Sequence, residues 1–149
     1  MWTLRSDERL HAWKEFRHRL NDLPFDEAVA QTVHLWSFAP FVSHYLDRFE
    51  PEDWPSPWIL LADNMYDDLA KSLGMLYTLY FTAHREKHSF ALVKAVVGTS
   101  LENYNLVDID DGKYILNFTF DTVISKVQLD KDLSVIHSYS ANDLQLPKY

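Results

Sequence analysis

The sequence predicts an α+β fold in which N-terminal helices pack on one face of a C-terminal antiparallel β-sheet. Three observations carry this reading. Apolar residues recur at three and four positions through roughly the first 88 residues, the period changes to two from Phe90 onward, and Asp111-Gly112 separates two alternating runs. With 149 residues and 47% apolar side chains, the chain is long and apolar enough for one core. No repeat, low-complexity tract or linker divides it. A single domain is therefore expected over residues 1–149, helical to about 88, sheet from about 89 to 140, then a short tail.

Ser6 is placed to cap a first helix, with Asp7 and Glu8 at the positive end of its dipole and Leu10, Trp13, Phe16 or Arg17, and Leu20 at helical spacing. Asp26 is placed to cap a second, with Val29, Val33 and Trp36 on one side and Pro40 stopping it near Phe38. Phe41 to Leu46 suits a further turn or two of helix. The text "DRFEPEDWPSPW", from Asp47 to Trp58, carries three prolines and reads as an ordered loop pinned by its aromatics. Helical spacing resumes most clearly from Asn64 to Thr82, where Leu69, Leu73, Leu76 or Tyr77, and Tyr80 mark a central buried helix. Gly74 inside it costs about 1 kcal/mol relative to Ala, which implies close approach of a neighbouring element. The strand texts are "FALVKAVV", "YNLVDI", "KYILNFTF", "TVISKVQL" and "LSVIHSY", with hairpin turns expected at Asp110-Asp111-Gly112 and Asp130-Lys131-Asp132.

A net charge of −8, spread along the chain without a block of Lys or Arg, argues against nucleic acid as a partner. No apolar run approaches the roughly 20 residues that span a bilayer, and the first residues lack the layout of a secretion signal, so a soluble protein without a membrane partner is expected. The chain has no cysteine, which removes disulfides, thiolate metal ligands and cysteine nucleophiles together.

His84 and His88 in "HREKH" are four apart, a metal-ligand spacing, but Arg85 stands where a zincin motif needs Glu. They are read as the solvated end of the long helix, and no metal or cofactor is expected. Asp63, Asp67 and Asp68 open the central helical text while Asp108, Asp110 and Asp111 surround a turn. Such carboxylates could hold a cation or work as acid and base, yet helix starts and turns favour them for local reasons. There is no Gly-rich phosphate loop. Trp54 and Trp58 flank Pro55-Ser56-Pro57 and would either line a groove or staple the loop to the core.

"AKSLGM" (70–75) followed by "ENYNLV", "IDDGKY" and "ILN" (102–117) resembles transglutaminase-like domains, a branch of the papain-like fold, over about residues 54 to 120. In that family a helix opens with a catalytic cysteine and ends in an Arg/Lys-Ser/Ala-Leu-Gly-Ile/Met text. Its sheet carries His-Ala-Trp-Asn and, a hairpin later, Gly-Lys-Trp and an aspartate. The resemblance puts Glu102 at the histidine, Tyr104 at the tryptophan, Asn105 at the asparagine, and Asn117 or Phe118 at the aspartate. The cysteine would fall between Trp58 and Asp68. A triad without thiol, imidazole or carboxylate implies loss of acyl transfer. The text from Trp54 to Tyr80 also resembles small proteins of tailed bacteriophages.

The resulting expectation is a non-enzymatic, protein-binding or accessory protein, located in the host cytoplasm or the virion. Its former cleft would be lined by Trp54, Trp58, Asp67, Asp68, Tyr104 and Asn105. The alternatives are a structural virion or oligomer subunit, and a hydrolase rebuilt on Glu102 with Asp67 or Asp68.

Overall fold

A computed structural model describes residues 1–46, 50–99, 102–129 and 132–146. It sets helices α1 (Ser6–Leu20), α2 (Phe25–Ser37), α3 (Pro57–Asp63) and α4 (Asp68–Tyr80) before strands β1 (Phe90–Val97), β2 (Asn103–Ile109), β3 (Tyr114–Thr119), β4 (Thr122–Ile124) and β5 (Leu133–Ser140).

The buried stripe of α1 is Arg9, Trp13, Arg17 and Leu20, so the inward face includes an arginine where Leu10 was expected. Arg9 is tolerated there because it donates to Leu61 O at 2.7 Å and Ala62 O at 3.1 Å, carbonyls at the end of α3 that lack partners within the helix. Both cap expectations need correction. Arg5 and Pro24 occupy the cap positions, so Ser6 is the first helical residue of α1 and Asp26 lies in the first turn of α2, still at the positive end of the dipole.

No helix forms over Phe41 to Leu46. Phe41 instead pairs with Tyr66 in an isolated parallel bridge, and the Tyr45 and Leu46 amides turn to the Asp67 carboxylate, so the donors a helix would use are taken. Of the expected loop, residues 47–49 lie outside the described residues. Its end is helical: Ser56 caps α3 and Pro57 sits at the first helical position, where its fixed φ suits the helix. The Asn64–Thr82 text is also shorter as a helix than expected. Asn64, at φ 54°, stops α3, and Asp67 starts α4 by accepting from Ala70 N at 2.9 Å.

Ten residues of α4, from Leu69 to Leu79 apart from Lys71, are buried. A Cβ on Gly74 would sit 2.4 Å from the Trp36 ring, so the glycine is what lets α2 close on α4. One turn on, Thr78 Oγ1 accepts from Trp36 Nε1 at 2.8 Å and Trp13 Nε1 at 2.9 Å, and donates to Gly74 O. Helices α1 and α2 are thereby referred to one hydroxyl on α4.

The antiparallel sheet has the order β4-β3-β2-β1-β5. Asp110, Asp111 and Gly112 all have positive φ in the β2–β3 turn, as an Asp-Gly hairpin requires. The second expected hairpin does not form, because β5 pairs with the far side of β1 and lies at the opposite edge from β4. Of its turn, Asp130 and Lys131 lie outside the described residues. The "TVISKVQL" text is a strand only to Ile124, followed by a 3-10 turn at Lys126–Gln128. Phe90, Leu92, Val107, Ile109 and Leu116 meet the helices, while Val93, Ala95, Leu106 and Ile115 form a smaller cluster with Tyr104 and Phe118 on the other face.

Candidate functional site

The opening turn of α4 lies against β2 and β3, and polar side chains from all three elements meet there. Asn105 Nδ2 donates to Asp68 Oδ2 at 3.0 Å. Asn117 Nδ2 lies 3.1 Å from Asp68 Oδ1, 2.7 Å from Ser72 Oγ and 3.0 Å from Asn105 O. Ser72, fully buried, donates in turn to Asn105 O at 2.5 Å. Asp68, Ser72, Asn105 and Asn117 therefore form one connected network.

The backbone explains why Asn117 reaches it. At φ 69° it occupies the left-handed region, and the β3–β4 register shifts between Ile115 and Thr119. The irregularity lets Leu116 and the next side chain both meet the helical layer, as bulges re-aim side chains beside functional sites. Asn tolerates this conformation better than most side chains.

Asp67, adjacent to the network, has a different task. Its fully buried carboxylate accepts from the backbone amides of Tyr45 at 2.8 Å, Leu46 at 2.7 Å and Ala70 at 2.9 Å. It ties the 41–46 segment to the start of α4. Asp63 accepts from the Tyr45 hydroxyl at 2.6 Å, and burial together with that carboxylate drives the Tyr45 pKa upward. Lys71 donates to Ser37 O at 3.2 Å; burial lowers its pKa and the nearby Asp68 charge partly offsets this.

Not all the residues singled out in the sequence come together. Strand alternation separates them: Asn105 and Val107 face the helices, whereas Tyr104 and Leu106 face the other side. Tyr104 packs on Phe118 at 5.0 Å between ring centres, and its hydroxyl donates to Glu102 at 3.3 Å. Glu102 is thus turned to Tyr104 and not brought to Asn117, Asp67 or Asp68, a correction to both the triad position and the carboxylate pairing. Phe118 likewise faces away, leaving Asn117 at the site.

Trp54 is half-buried and meets Tyr139 of β5 edge-on at 5.5 Å. Trp58 lies on α3 against Trp13 and Phe81. Phe81 closes α4, and about 1.5 Å of rise per residue puts it roughly 20 Å from Asp68, so Trp58 is remote from the network.

His84 Nε2 lies 2.8 Å from Leu20 O, while His88 stacks on Phe25 at 3.6 Å and reaches Asp110 at 2.6 Å. The two histidines serve separate contacts. Asp108 accepts from Gly112 N at 2.6 Å and so braces its own turn. Among the described residues no group of three or more His, Asp or Glu converges as metal ligands do.

Sequence reasoning missed Ser72, a polar position in an apolar stripe, and a row across the sheet. Lys94 pairs with Asn105 on one side and His137 on the other, which sets all three on the helix-facing side. The lone Lys in "FALVKAVV" was the available signal.

No family model and no curated protein matches the chain. Among solved structures, EGTA-treated LapG of Legionella pneumophila is similar at TM-score 0.71 and 14% identity, over 91% of this chain and 74% of that one. Calcium-bound LapG of the same organism is similar at TM-score 0.71 and 13% identity, over 93% and 78%. The likeness is one of fold, transglutaminase-like α+β, in which the described residues form four α-helices and a five-stranded antiparallel sheet.

Proposed function

We propose that this chain is a non-enzymatic protein-binding accessory protein on a transglutaminase-like scaffold, with its docking region where α4 opens over β2 and β3. The supporting observation is the network itself. Asp68, Ser72, Asn105 and Asn117 satisfy one another with amides, a hydroxyl and a carboxylate, and the network contains neither thiol nor imidazole. Acyl transfer on such a scaffold needs a thiolate and a general base within hydrogen-bond reach. The phage-like text belongs to the same proposal and directs the search for a partner to bacterial lysates and phage particles.

One of the similar LapG structures is calcium-bound. Calcium takes about six to eight oxygen ligands. Among the described residues no group of three or more His, Asp or Glu side chains comes together as such ligands would, and the Asp67 and Asp68 carboxylates accept from backbone and asparagine amides.

A photo-crosslinking residue tests the reading. At position 103, exposed and in phase with Asn105, it should give a discrete protein adduct, and at position 104, on the other face, it should not. Equal adducts at both positions, or none at either, would count against the site. Peptidase or glutamine-amide turnover by the purified chain would count against the non-enzymatic half.

A second reading, as a subunit of a particle or homo-oligomer, has one observation of its own. Phe38, Phe41 and Phe120 are 57%, 64% and 66% exposed, and Phe38 touches Phe120 at 5.3 Å. Large exposed apolar patches mark contact surfaces. Light scattering on wild type and Phe120→Ser separates the readings: only a self-assembling subunit changes mass.

A further inference from the structure

Three phenylalanines stand outside both apolar clusters with more than half of their surface exposed: Phe38 at the end of α2, Phe41 in the segment that follows, and Phe120 at the tip of the β3–β4 hairpin. The hairpin does not ask for an aromatic. A two-residue tip favours Gly, Asn, Asp or Ser, a preference that Asp121 at φ 50° follows and Phe120 does not.

The rings are nonetheless held in place. The Asp121 carboxylate lies 3.0 Å from His34 Nδ1, and the Asp121 amide donates to Ser37 Oγ at 3.1 Å, so the hairpin tip is fastened to α2 at two points. Phe120 thereby meets Phe38 edge-on at 5.3 Å, while the bridge to Tyr66 fixes the backbone of Phe41. A surface ordered in advance loses little entropy when it is covered.

Lys71 brings a charge to this apolar surface. Its ammonium donates to Ser37 O at 3.2 Å and lies 5.8 Å from the centre of the Phe41 ring, where the end of α2 meets Phe41. Among the described residues no carboxylate closes an ion pair with it, and Asp68, one turn back on α4, is turned to the Asn105 and Asn117 amides. Burial disfavours the Lys71 charge, so a carboxylate arriving from outside would be drawn to it.

Area and charge decide between occupants. An aromatic side chain carries about 150–250 Å², so three rings exposed to this degree offer on the order of 400 Å² of apolar surface. A permanent homodimer buries at least about 1,000 Å² on each copy, roughly 65% of it apolar. The patch falls short of that and matches the footprint of a short peptide. A two-fold pair centred on it would also set Lys71 against Lys71, between chains that each carry a net charge of −8.

We propose that Phe38, Phe41 and Phe120 dock a short polypeptide segment carrying a carboxylate beside large apolar side chains, with the rings covering the apolar groups and Lys71 taking the carboxylate. This rests on the protein-binding reading and specifies the partner. Lys71 lies one turn along α4 from Asp68, and Phe120 lies three residues along the chain from Asn117, so the patch continues the polar network to one side.

The test selects random dodecapeptides displayed on yeast with the full chain, then titrates the labelled peptides by fluorescence anisotropy. The expected peptides carry Asp or Glu next to Leu, Ile, Phe or Trp, and Phe120→Ser, at an exposed position, weakens binding about tenfold or more. Replacing the acidic residue of the peptide by its amide weakens binding to wild type about tenfold and changes nothing against Lys71→Gln, a coupling that a purely structural role of Lys71 does not produce. Peptides without a carboxylate, or an acid-to-amide loss as large against Lys71→Gln as against wild type, overturn the proposal. Peptides that bind both variants as well as wild type overturn it while leaving the protein-binding reading intact. A mass that doubles in wild type and not in Phe120→Ser assigns the patch to a second copy and overturns it too. Failure to select any peptide counts against both.

Discussion

Gly74→Ala isolates the contact that sets the spacing of α2 and α4. In an open helix the change would stabilise by about 0.8–1 kcal/mol, because Ala costs less backbone entropy. Here three atoms of the Trp36 ring lie 2.4, 2.4 and 2.6 Å from the added Cβ. The ring is fully buried, donates to Thr78 at 2.8 Å, and meets Trp2 at 4.9 Å and Tyr66 at 5.1 Å between ring centres. It has no flexible end to swing aside. Overpacking of a filled core costs about 1–3 kcal/mol, occasionally more, and a rigid indole belongs at the upper end. The net expectation is destabilisation by roughly 1–3 kcal/mol, or a fall in Tm of about 3–10 °C for a domain of this size. Urea denaturation with an unchanged m-value would measure it. Gly74→Ala in a Trp36→Leu background should cost much less, since the partner has gone. A single variant as stable as wild type would refute the claim that Gly74 is required for close packing.

Asp67→Ala should lower stability by roughly 2–4 kcal/mol, the loss of a helix cap together with amides left without their acceptor, read as a lower urea midpoint. Asn117→Ala should be less stable than Asn117→Gly by about 1 kcal/mol, because glycine accepts the left-handed backbone that alanine resists. Equal denaturation midpoints would show that the backbone conformation is not what selects the residue. Burial alone would raise the pKa of Asp110, but hydrogen bonds from His88 and the Ser89 amide, aided by the nearby His88 and Lys113 charges, hold it below the ordinary 3.8. Its folded value being depressed, the stability it contributes is present above pH 3.8 and lost as pH falls through the folded value. The gap between wild type and Asp110→Asn should therefore close in acid, as followed by urea titrations across that range.

Periodicity made the layers legible, because helix and strand burial repeat at different intervals and neither depends on which elements finally meet. Gly74 was legible for a related reason: a costly glycine in a helix implies a neighbour. Topology was not. Whether β5 returns beside β4 or crosses to β1 depends on long-range packing that a local turn cannot report. The proline-rich loop misled differently, since Ser56-Pro57 breaks any helix on its N-terminal side and favours the start of one on its C-terminal side. At the candidate site, Asn105 and Asn117 were singled out through the resemblance, and Asp68 as a carboxylate at the start of the central helical text. Glu102 failed because text similarity ignores strand parity, and a strand shows opposite faces at odd and even steps. Lys94 and His137 are 43 positions apart in number, and only the β1–β5 register brings them together.

The shared acceptor at Thr78 bears on how the protein comes apart. One hydroxyl holds an indole from α1 and another from α2, and neither helix can leave without stranding a bond made by the layer. Opening of either should thus be coupled to opening of both, giving the helices a single slow class of exchanging amides distinct from those at the exposed edge of β5.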